Sequence, residues 1–399
     1  MRHGRSLPLA VLLGHAVLVQ VVSYAVRPLV SYAILDLELS AAWLGVATAA
    51  FAVPPLLLAV PSGRLVDRLG ERLTLVLGAC ALTGASTVVL VWRHSLAGLL
   101  VATVLLGLGV LWSVLGEQAW VMRGAPAGRL DAAFGLYTFA TSSGQMAGPL
   151  LLALPGGQAV SPPLGAVAWS AAAASVSCLV LSVAVRRTPR LLQGEQELVA
   201  ERTVPVALRL LRTRGVVPAL VMSSLVLSSL DIALAYLPLL VRERGLAPVW
   251  VPALLVARGL ATMASRLALG RLTSRHGRRR VLVVGGALSA LGLTALALPV
   301  PVVVLLVAMA AYGFAAGTVQ PLTMSWVTLL TPRQQRGVAA SLRLVGNRTG
   351  QTAIPLAVAG LSASGGASVV FAATGASLLV SVWLSRWAPD GDGPGGGPA

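Results

Sequence analysis

The sequence predicts an all-α membrane protein in which twelve transmembrane helices form two pseudo-symmetric six-helix bundles. Of its 399 residues, 56% are hydrophobic and only 11% are charged, and the mean hydropathy is +0.84. Soluble proteins carry about 25% charged residues, so this composition excludes a soluble enzyme. Twelve apolar runs are each long enough to cross a bilayer, and the two halves of the chain repeat short motifs.

The apolar runs predict helices because a bilayer core of about 30 Å needs about 20 apolar residues in helical form. Transmembrane strands would alternate apolar and polar residues, whereas these runs are continuous. The predicted spans are 7–35, 41–60, 73–92, 96–121, 132–154, 163–185, 216–240, 249–269, 281–298, 301–329, 337–361 and 366–386.

The basic residues predict the orientation of these spans. All 30 are Arg; with a cytoplasmic N-terminus, 23 lie on the inner side and three on the outer side, namely Arg93, Arg242 and Arg244. Cytoplasmic loops of membrane proteins are enriched in basic residues. We therefore expect a multi-pass plasma membrane protein with both termini cytoplasmic. The concentration of Arg in the predicted cytoplasmic loops accounts for the net charge of +17, so no nucleic-acid partner is expected.

The longest polar stretch, 186–215, divides the spans six and six. We expect an N-terminal bundle over 1–185, a cytoplasmic linker over 186–215 and a C-terminal bundle over 216–387. Part of the linker, 204–214, has the pattern of an amphipathic helix on the membrane surface. The Pro- and Gly-rich tail 388–399 is expected to be disordered.

Two motifs recur in the two halves. GRLVDRLGER begins at Gly63 and GRLTSRHGRR at Gly270, an offset of 207, while GQMAGP begins at Gly144 and GQTAIP at Gly350, an offset of 206. Such matches indicate a duplicated six-helix unit. Parallel repeats of this kind place a binding site near the midplane, between the halves.

The first motif resembles the signature G-x-L-x-D-R-x-G-R-R of the major facilitator superfamily. Glu71 replaces one basic residue of the signature, and Ser274 stands where the second copy would carry Asp. The resemblance covers the chain outside its tail, and it implies two bundles around a central cavity, alternating access and a gating role for both loops. The residues assigned to this gating motif are Gly63, Asp67, Arg68, Gly70, Arg72, Gly270, Arg271 and Gly277.

The second motif is similar to the G-x-x-x-G-P core found in span 5 of drug and proton antiporters of that superfamily. Gly144 and Gly148 share a helix face and permit close backbone approach, while Pro149 removes a helical hydrogen bond. The chain departs from those antiporters at Leu152 and Ala153, and span 4 lacks their Arg. The motif favours export; close helix packing alone is the alternative.

Polar residues inside spans mark a further set of candidates, since a central charge costs about 2.5–3.5 kcal/mol and should face the bundle interior. At 100° per residue, the polar residues of span 1 fall within about 60° of each other. We expect substrate contacts from Gln20, Tyr24, Arg27, Arg258 and Asn347. Asp231 is the expected proton carrier and Glu117 the alternative; static ion pairs that tie the bundles together are the other interpretation of these charges.

These features predict a secondary active transporter that moves a small organic molecule by alternating access, through proton-coupled export. The spans contain four Arg and two carboxylates, and this excess of positive charge also fits an uptake permease for an organic anion. Arg343 and Arg348 point about 140° apart on one helix, so they are not expected to face the same ligand. A transport-inactive receptor or scaffold is the alternative of another class.

No enzyme activity, metal or other cofactor is expected, because His and Cys lack ligand spacing. We expect a monomer. Asp36 and Glu38 fall in an outer loop and are expected to be solvated.

Overall fold

The protein is described by a computed structural model over residues 6–124, 130–155, 161–185, 203–332 and 335–389, and these ranges contain no strand. The helices are α1 (Ser6–Asp36), α2 (Ala42–Leu69), α3 (Glu71–Trp92), α4 (Leu96–Gly124), α5 (Leu130–Leu150), α6 (Leu164–Ala184), α7 (Val216–Glu243), α8 (Trp250–His276), α9 (Arg278–Ala297), α10 (Val302–Leu329) and α11 (Arg336–Leu384). A short helix, Thr203–Arg212, precedes α7, where the sequence predicted one.

The predicted all-α membrane architecture is confirmed. Ten helical segments in the described ranges are long and apolar enough to span a membrane. Each of the helices α1 to α10 matches one predicted span, and α11 covers the last two. The backbone of α11 leaves helical geometry at Gly366, where φ is 62° and ψ is −159°, so the kink marks the predicted boundary between spans 11 and 12.

Glycines set the distance between neighbouring helices. A Cβ atom added at Gly78 of α3 would lie 2.7 Å from the backbone nitrogen of Ser113 in α4. One added at Gly292 of α9 would lie 2.8 Å from the carbonyl oxygen of Ala308 in α10. Small residues permit such contacts, which replace the hydrophobic driving force that is absent between helices in lipid.

The chain divides into two compact units. Unit 1 comprises Met1–Arg190, Leu234–Val256 and Ser362–Gly366, and unit 2 comprises Leu191–Ala233, Ala257–Leu361 and Ala367–Ala399. Unit 1 thus contains α1 to α6 together with the end of α7, the beginning of α8 and the kink of α11. The expected bundle boundaries stay a prediction, and most of the linker and the tail from 390 onward lie outside the described residues.

Candidate functional site

The polar stripe of α1 lies in the interior of unit 1. Gln20 and Arg27 are buried and Tyr24 is half-buried. Gln145 of α5 donates through Nε2 to Oε1 of Gln20 at 3.4 Å. The guanidinium carbon of Arg27 lies 4.4 Å from the ring centre of Phe51 in α2, a cation–π geometry. Burial does not single out this face of α1, because all residues from Ala25 to Leu35 are buried, so a cavity-lining role for the stripe stays a prediction.

A cavity of about 20 Å³ adjoins Arg27 within unit 1. Ser31, Thr48 and Thr103 also line this cavity, and each donates its hydroxyl to a carbonyl of its own helix. A hydroxyl that donates in this way retains lone pairs that can accept. Apolar side chains form the rest of the lining, and the volume is about that of one water molecule, so the cavity is too small for an organic substrate.

Glu117 of α4 lies in a second polar cluster of unit 1. Its Oε1 is 2.7 Å from Nδ1 of His15 in α1, and its Oε2 accepts a hydrogen bond of 3.0 Å from Tyr137 of α5. Nε2 of His15 lies 2.9 Å from the hydroxyl of Ser182 in α6. His15, Glu117 and Ser182 are fully buried. Four helices thus meet at one His–Glu pair, surrounded by apolar side chains such as Leu12, Leu75 and Trp120.

Asp231 of α7 is the expected proton carrier, and the structure places it in unit 2. Gln351 of α11 donates through Nε2 to Oδ2 of Asp231 at 2.7 Å, and its Oε1 accepts from Nη1 of Arg348 at 3.0 Å. Asp231 and Gln351 are almost fully buried. One neutral amide therefore connects a carboxylate on α7 with a guanidinium on α11.

Arg343 points to a different neighbour from Arg348, as their angular separation predicted. Nη2 of Arg343 donates to the side-chain Oε1 of Gln320 at 3.0 Å and to its carbonyl at 3.2 Å. Gln320 in turn donates through Nε2 to the carbonyl of Ser223 at 3.0 Å. Arg343 is therefore part of a polar connection between α11, α10 and α7.

The remaining expected substrate contacts, Arg258 and Asn347, also belong to unit 2, and both are buried. The backbone of Arg258 packs against Gly313 of α10, where an added Cβ would lie 2.8 Å from the Cα of Arg258. Beside Asn347, the carbonyl of Gly346 accepts a 2.5 Å hydrogen bond from Ser224 of α7. The expected substrate contacts therefore belong to both units. Gln20, Tyr24 and Arg27 belong to unit 1, and Arg258 and Asn347 belong to unit 2.

The repeated glycine motif makes matching contacts in the two units. A Cβ added at Gly148 would lie 2.7 Å from the carbonyl oxygen of Val21, and one at Gly144 would meet the carbonyl of Val17, both in α1. A Cβ added at Gly350 would lie 2.6 Å from the hydroxyl of Ser224 in α7. Val17 and Ser224 are 207 residues apart, so each copy packs at a corresponding level of its neighbour.

The signature loops have the same backbone conformation in both copies. Gly70 has φ 84° and ψ 165°, and Gly277 has φ 77° and ψ 153°. Only glycine adopts this region readily, which explains why it recurs at an offset of 207. Gly63 and Gly270, by contrast, have open space where a Cβ would lie. Arg68 and Arg271 are exposed and Arg72 is half-buried, while the side chain of Asp67 lies outside the described part of the structure.

Glu71, which departs from the signature, has a specific partner. Its Oε1 accepts a hydrogen bond of 2.6 Å from Nη1 of Arg123 at the end of α4, and its side chain is buried. The acidic residue at this position therefore joins the signature loop to α4 by a charge-assisted hydrogen bond.

The sequence matches the profile of the Major Facilitator Superfamily over residues 12–273 and 250–398, which together cover most of the chain. The chain belongs to this superfamily. No curated protein shows significant similarity to the sequence. Membership explains why the signature loop, the duplicated helices and the buried charges occur together.

Solved structures of several transporters share the fold. A point mutant of the nucleoside transporter NupG has 15% identity, covers 96% of this chain and 99% of its own, and gives a TM-score of 0.78. The inward-open xylose transporter XylE from E. coli has 16% identity, covers 98% and 97%, and gives 0.75. A point mutant of the peptide transporter POT with bound alafosfalin has 15% identity, covers 95% and 93%, and gives 0.76.

Sequence reasoning missed several side chains that hold the polar clusters of this superfamily member. Gln351 lies in the repeated motif, which could have indicated it. No sequence pattern indicated the role of His15, because its partners Glu117 and Ser182 are 102 and 167 residues away along the chain. Asp36 was expected in an outer loop; it is the last residue of α1 and is exposed. It accepts a hydrogen bond from Ser161 at 2.8 Å and forms an ion pair with Arg242 at 3.1 Å.

Proposed function

We propose that this superfamily transporter exports a small organic molecule in exchange for protons, with Asp231 as the coupling group. The observation that supports this proposal most is the buried carboxylate of Asp231, which accepts a hydrogen bond of 2.7 Å from the amide of Gln351. An ionised side chain in the middle of a membrane helix is costly, and such residues mark proton and substrate pathways.

Proton exchange at Asp231 is compatible with its surroundings. An ionised carboxylate accepts hydrogen bonds through both oxygens, and a protonated one still accepts through its carbonyl oxygen. The N–H of Gln351 can therefore hold Asp231 in both forms while the net charge of the site changes by one. Alternating access would expose the group first to one side of the membrane and then to the other, which supplies the step that coupling requires.

The export direction rests on the glycine motif of α5. Its support is the resemblance of this motif to the one in span 5 of drug and proton antiporters; the close packing of Gly144 and Gly148 on α1 is also expected of a purely structural motif. We propose that both termini are cytoplasmic and that the loops around Gly70 and Gly277 form the inner gate. Labelling of single cysteines introduced at Ser95 and Arg214 with a membrane-impermeant reagent tests this topology. Labelling from outside at position 95 alone is expected, and the reverse pattern would contradict it.

The coupling proposal is tested in proteoliposomes with a substrate that is first identified by thermal stabilisation of the purified protein against metabolites and drugs. A ligand that binds the folded state raises its apparent stability, so this screen detects a substrate of any chemical class. Asp231→Asn is expected to abolish uphill transport driven by a pH gradient and to preserve substrate exchange. Glu117→Gln is the matched variant in unit 1, and it should retain pH-driven transport if it remains folded. Loss of pH-driven transport in Glu117→Gln but not in Asp231→Asn would indicate that Glu117 is the coupling group.

Uptake of an organic anion is the second candidate. It is favoured because Arg343 donates to both oxygens of Gln320, neutral acceptors that leave its positive charge in place. Arg27 is buried in unit 1, and its guanidinium carbon lies 4.4 Å from the ring centre of Phe51. Anion uptake predicts that Arg27→Gln weakens binding of anionic ligands more than that of neutral ligands. Equal effects on both ligand classes would count against this candidate.

A further inference from the structure

A large pocket of unit 2 has a lining that does not include Asp231, Arg258 or Asn347. Its volume is about 820 Å³, within the range of ligand pockets in proteins. Three helices form its walls, because the lining residues come from the end of α8, the first half of α9 and the middle of α10. They include Leu272 of α8, Val284 and Leu288 of α9, and Phe314 of α10.

The lining of this pocket has a basic end and an apolar end. His276, Arg279 and Arg280 lie at the turn between α8 and α9, and all three are exposed. From Arg279, the lining continues along α9 as far as Leu288, over about 13 Å at 1.5 Å per residue. Val284 on this path is 55% exposed. An amphipathic molecule with an anionic head matches this arrangement.

The positive charge of the surrounding sequence also favours a ligand with an anionic head group. From Arg244 to Pro389, both included, the sequence contains 13 Arg and no Asp or Glu. The turn at Gly277 belongs to the side of the membrane that the Arg distribution predicts to be cytoplasmic. Anionic lipids in that leaflet attract basic residues near the surface, and basic pockets between transmembrane helices bind their head groups.

We propose that this pocket binds one anionic phospholipid of the inner leaflet. The phosphate would lie against the guanidinium groups of Arg279 and Arg280, which suit the phosphate geometry. One acyl chain would pass along Val284 and Leu288 toward Phe314. A free phosphate ion would leave this apolar wall uncovered, and a zwitterionic lipid would bring no net charge to the basic end. The proposal does not depend on the transported substrate.

Binding is measured on the full-length protein in detergent, by native mass spectrometry and by thermal stabilisation. The probes are phosphatidylglycerol and phosphatidylcholine with identical acyl chains, and inorganic phosphate. Phosphatidylglycerol is expected to bind at least about fivefold more tightly than phosphatidylcholine, since each Arg near the surface contributes about 1 kcal/mol. Inorganic phosphate is expected to give no stabilisation at the same concentration. Equal binding of the two lipids, or equal stabilisation by phosphate, would overturn the proposal.

Two pairs of variants locate the site. Arg280→Gln should weaken phosphatidylglycerol binding about fivefold. Arg275→Gln removes one charge from the same exposed turn outside the pocket and should have little effect. Val284→Trp should fill the apolar end and reduce binding, whereas Leu291→Trp, at an exposed position of α9 beyond the lining, should not. Melting temperatures without added lipid identify any unfolded variant. If control and test variants behave alike while folded, the lipid does not occupy this pocket.

Discussion

Nη1 of Arg242 lies 3.1 Å from Oδ1 of Asp36, and this ion pair joins the end of α1 to the end of α7, 206 residues later in the chain. Ser161 donates to the same carboxylate oxygen at 2.8 Å. Nearby, the hydroxyl of Tyr236 is 3.5 Å from the carbonyl oxygen of Ala41. All these residues belong to unit 1. The contacts therefore fasten the end of α7 to the N-terminal helices on the predicted outer side.

We expect Asp36→Asn to loosen this fastening and to favour opening of the outer side. The pair is about one-third exposed, so its contribution is at most about 1 kcal/mol, equivalent to about a fivefold change in population. The measurement is the rate at which an impermeant maleimide labels a cysteine introduced at Ala235, which is buried. Glu38→Gln removes an acid two residues away and is the matched control. Equal labelling rates in both variants would show that the ion pair does not hold the outer side.

The helices could be predicted from the sequence because apolar length and Arg placement are local properties. Gly70 and Gly277 were also predictable, since a tight turn with positive φ selects glycine wherever it recurs. The partners of the buried charges could not be predicted. Asp231 meets Gln351 across 120 residues, and the periodicity of α7 indicates only which face is polar, not which neighbour it contacts.

Loss of the Gln351 amide is expected to destabilise unit 2. Gln351→Leu removes the 2.7 Å donor to the carboxylate of Asp231, and a hydrogen bond to a charged group contributes about 1.5–3 kcal/mol. Gln145→Leu removes the corresponding residue of α5, whose 3.4 Å contact is with the neutral Gln20. Denaturant unfolding of both variants measures the difference. A smaller loss for Gln351→Leu than for Gln145→Leu would contradict the bridging role.

The buried pair of His15 and Glu117 should respond to a double-mutant cycle. His15→Leu leaves a fully buried carboxylate without its 2.7 Å partner, and removal of one member of a buried pair typically costs about 3–5 kcal/mol. The double variant His15→Leu with Glu117→Leu removes both polar groups and should recover much of that loss. Unfolding free energies of the two single variants and the double variant give the coupling. A double variant whose loss equals the sum of the single losses would exclude a direct interaction.

The glycines of α5 give a test of close packing on α1. At Gly144, an alanine would place its Cβ against the carbonyl of Val17 and 2.8 Å from the Cβ of Gln20, so the two helices must separate. Overpacking of this kind costs about 1–3 kcal/mol. Gly135 lies on the same helix, is exposed, and has open space around an added Cβ, so Gly135→Ala is the control. Since alanine is the better helix former by up to about 1 kcal/mol, Gly135→Ala should be neutral or stabilising. Comparable losses of unfolding free energy at the two positions would attribute the effect to α5 itself and not to its contact with α1.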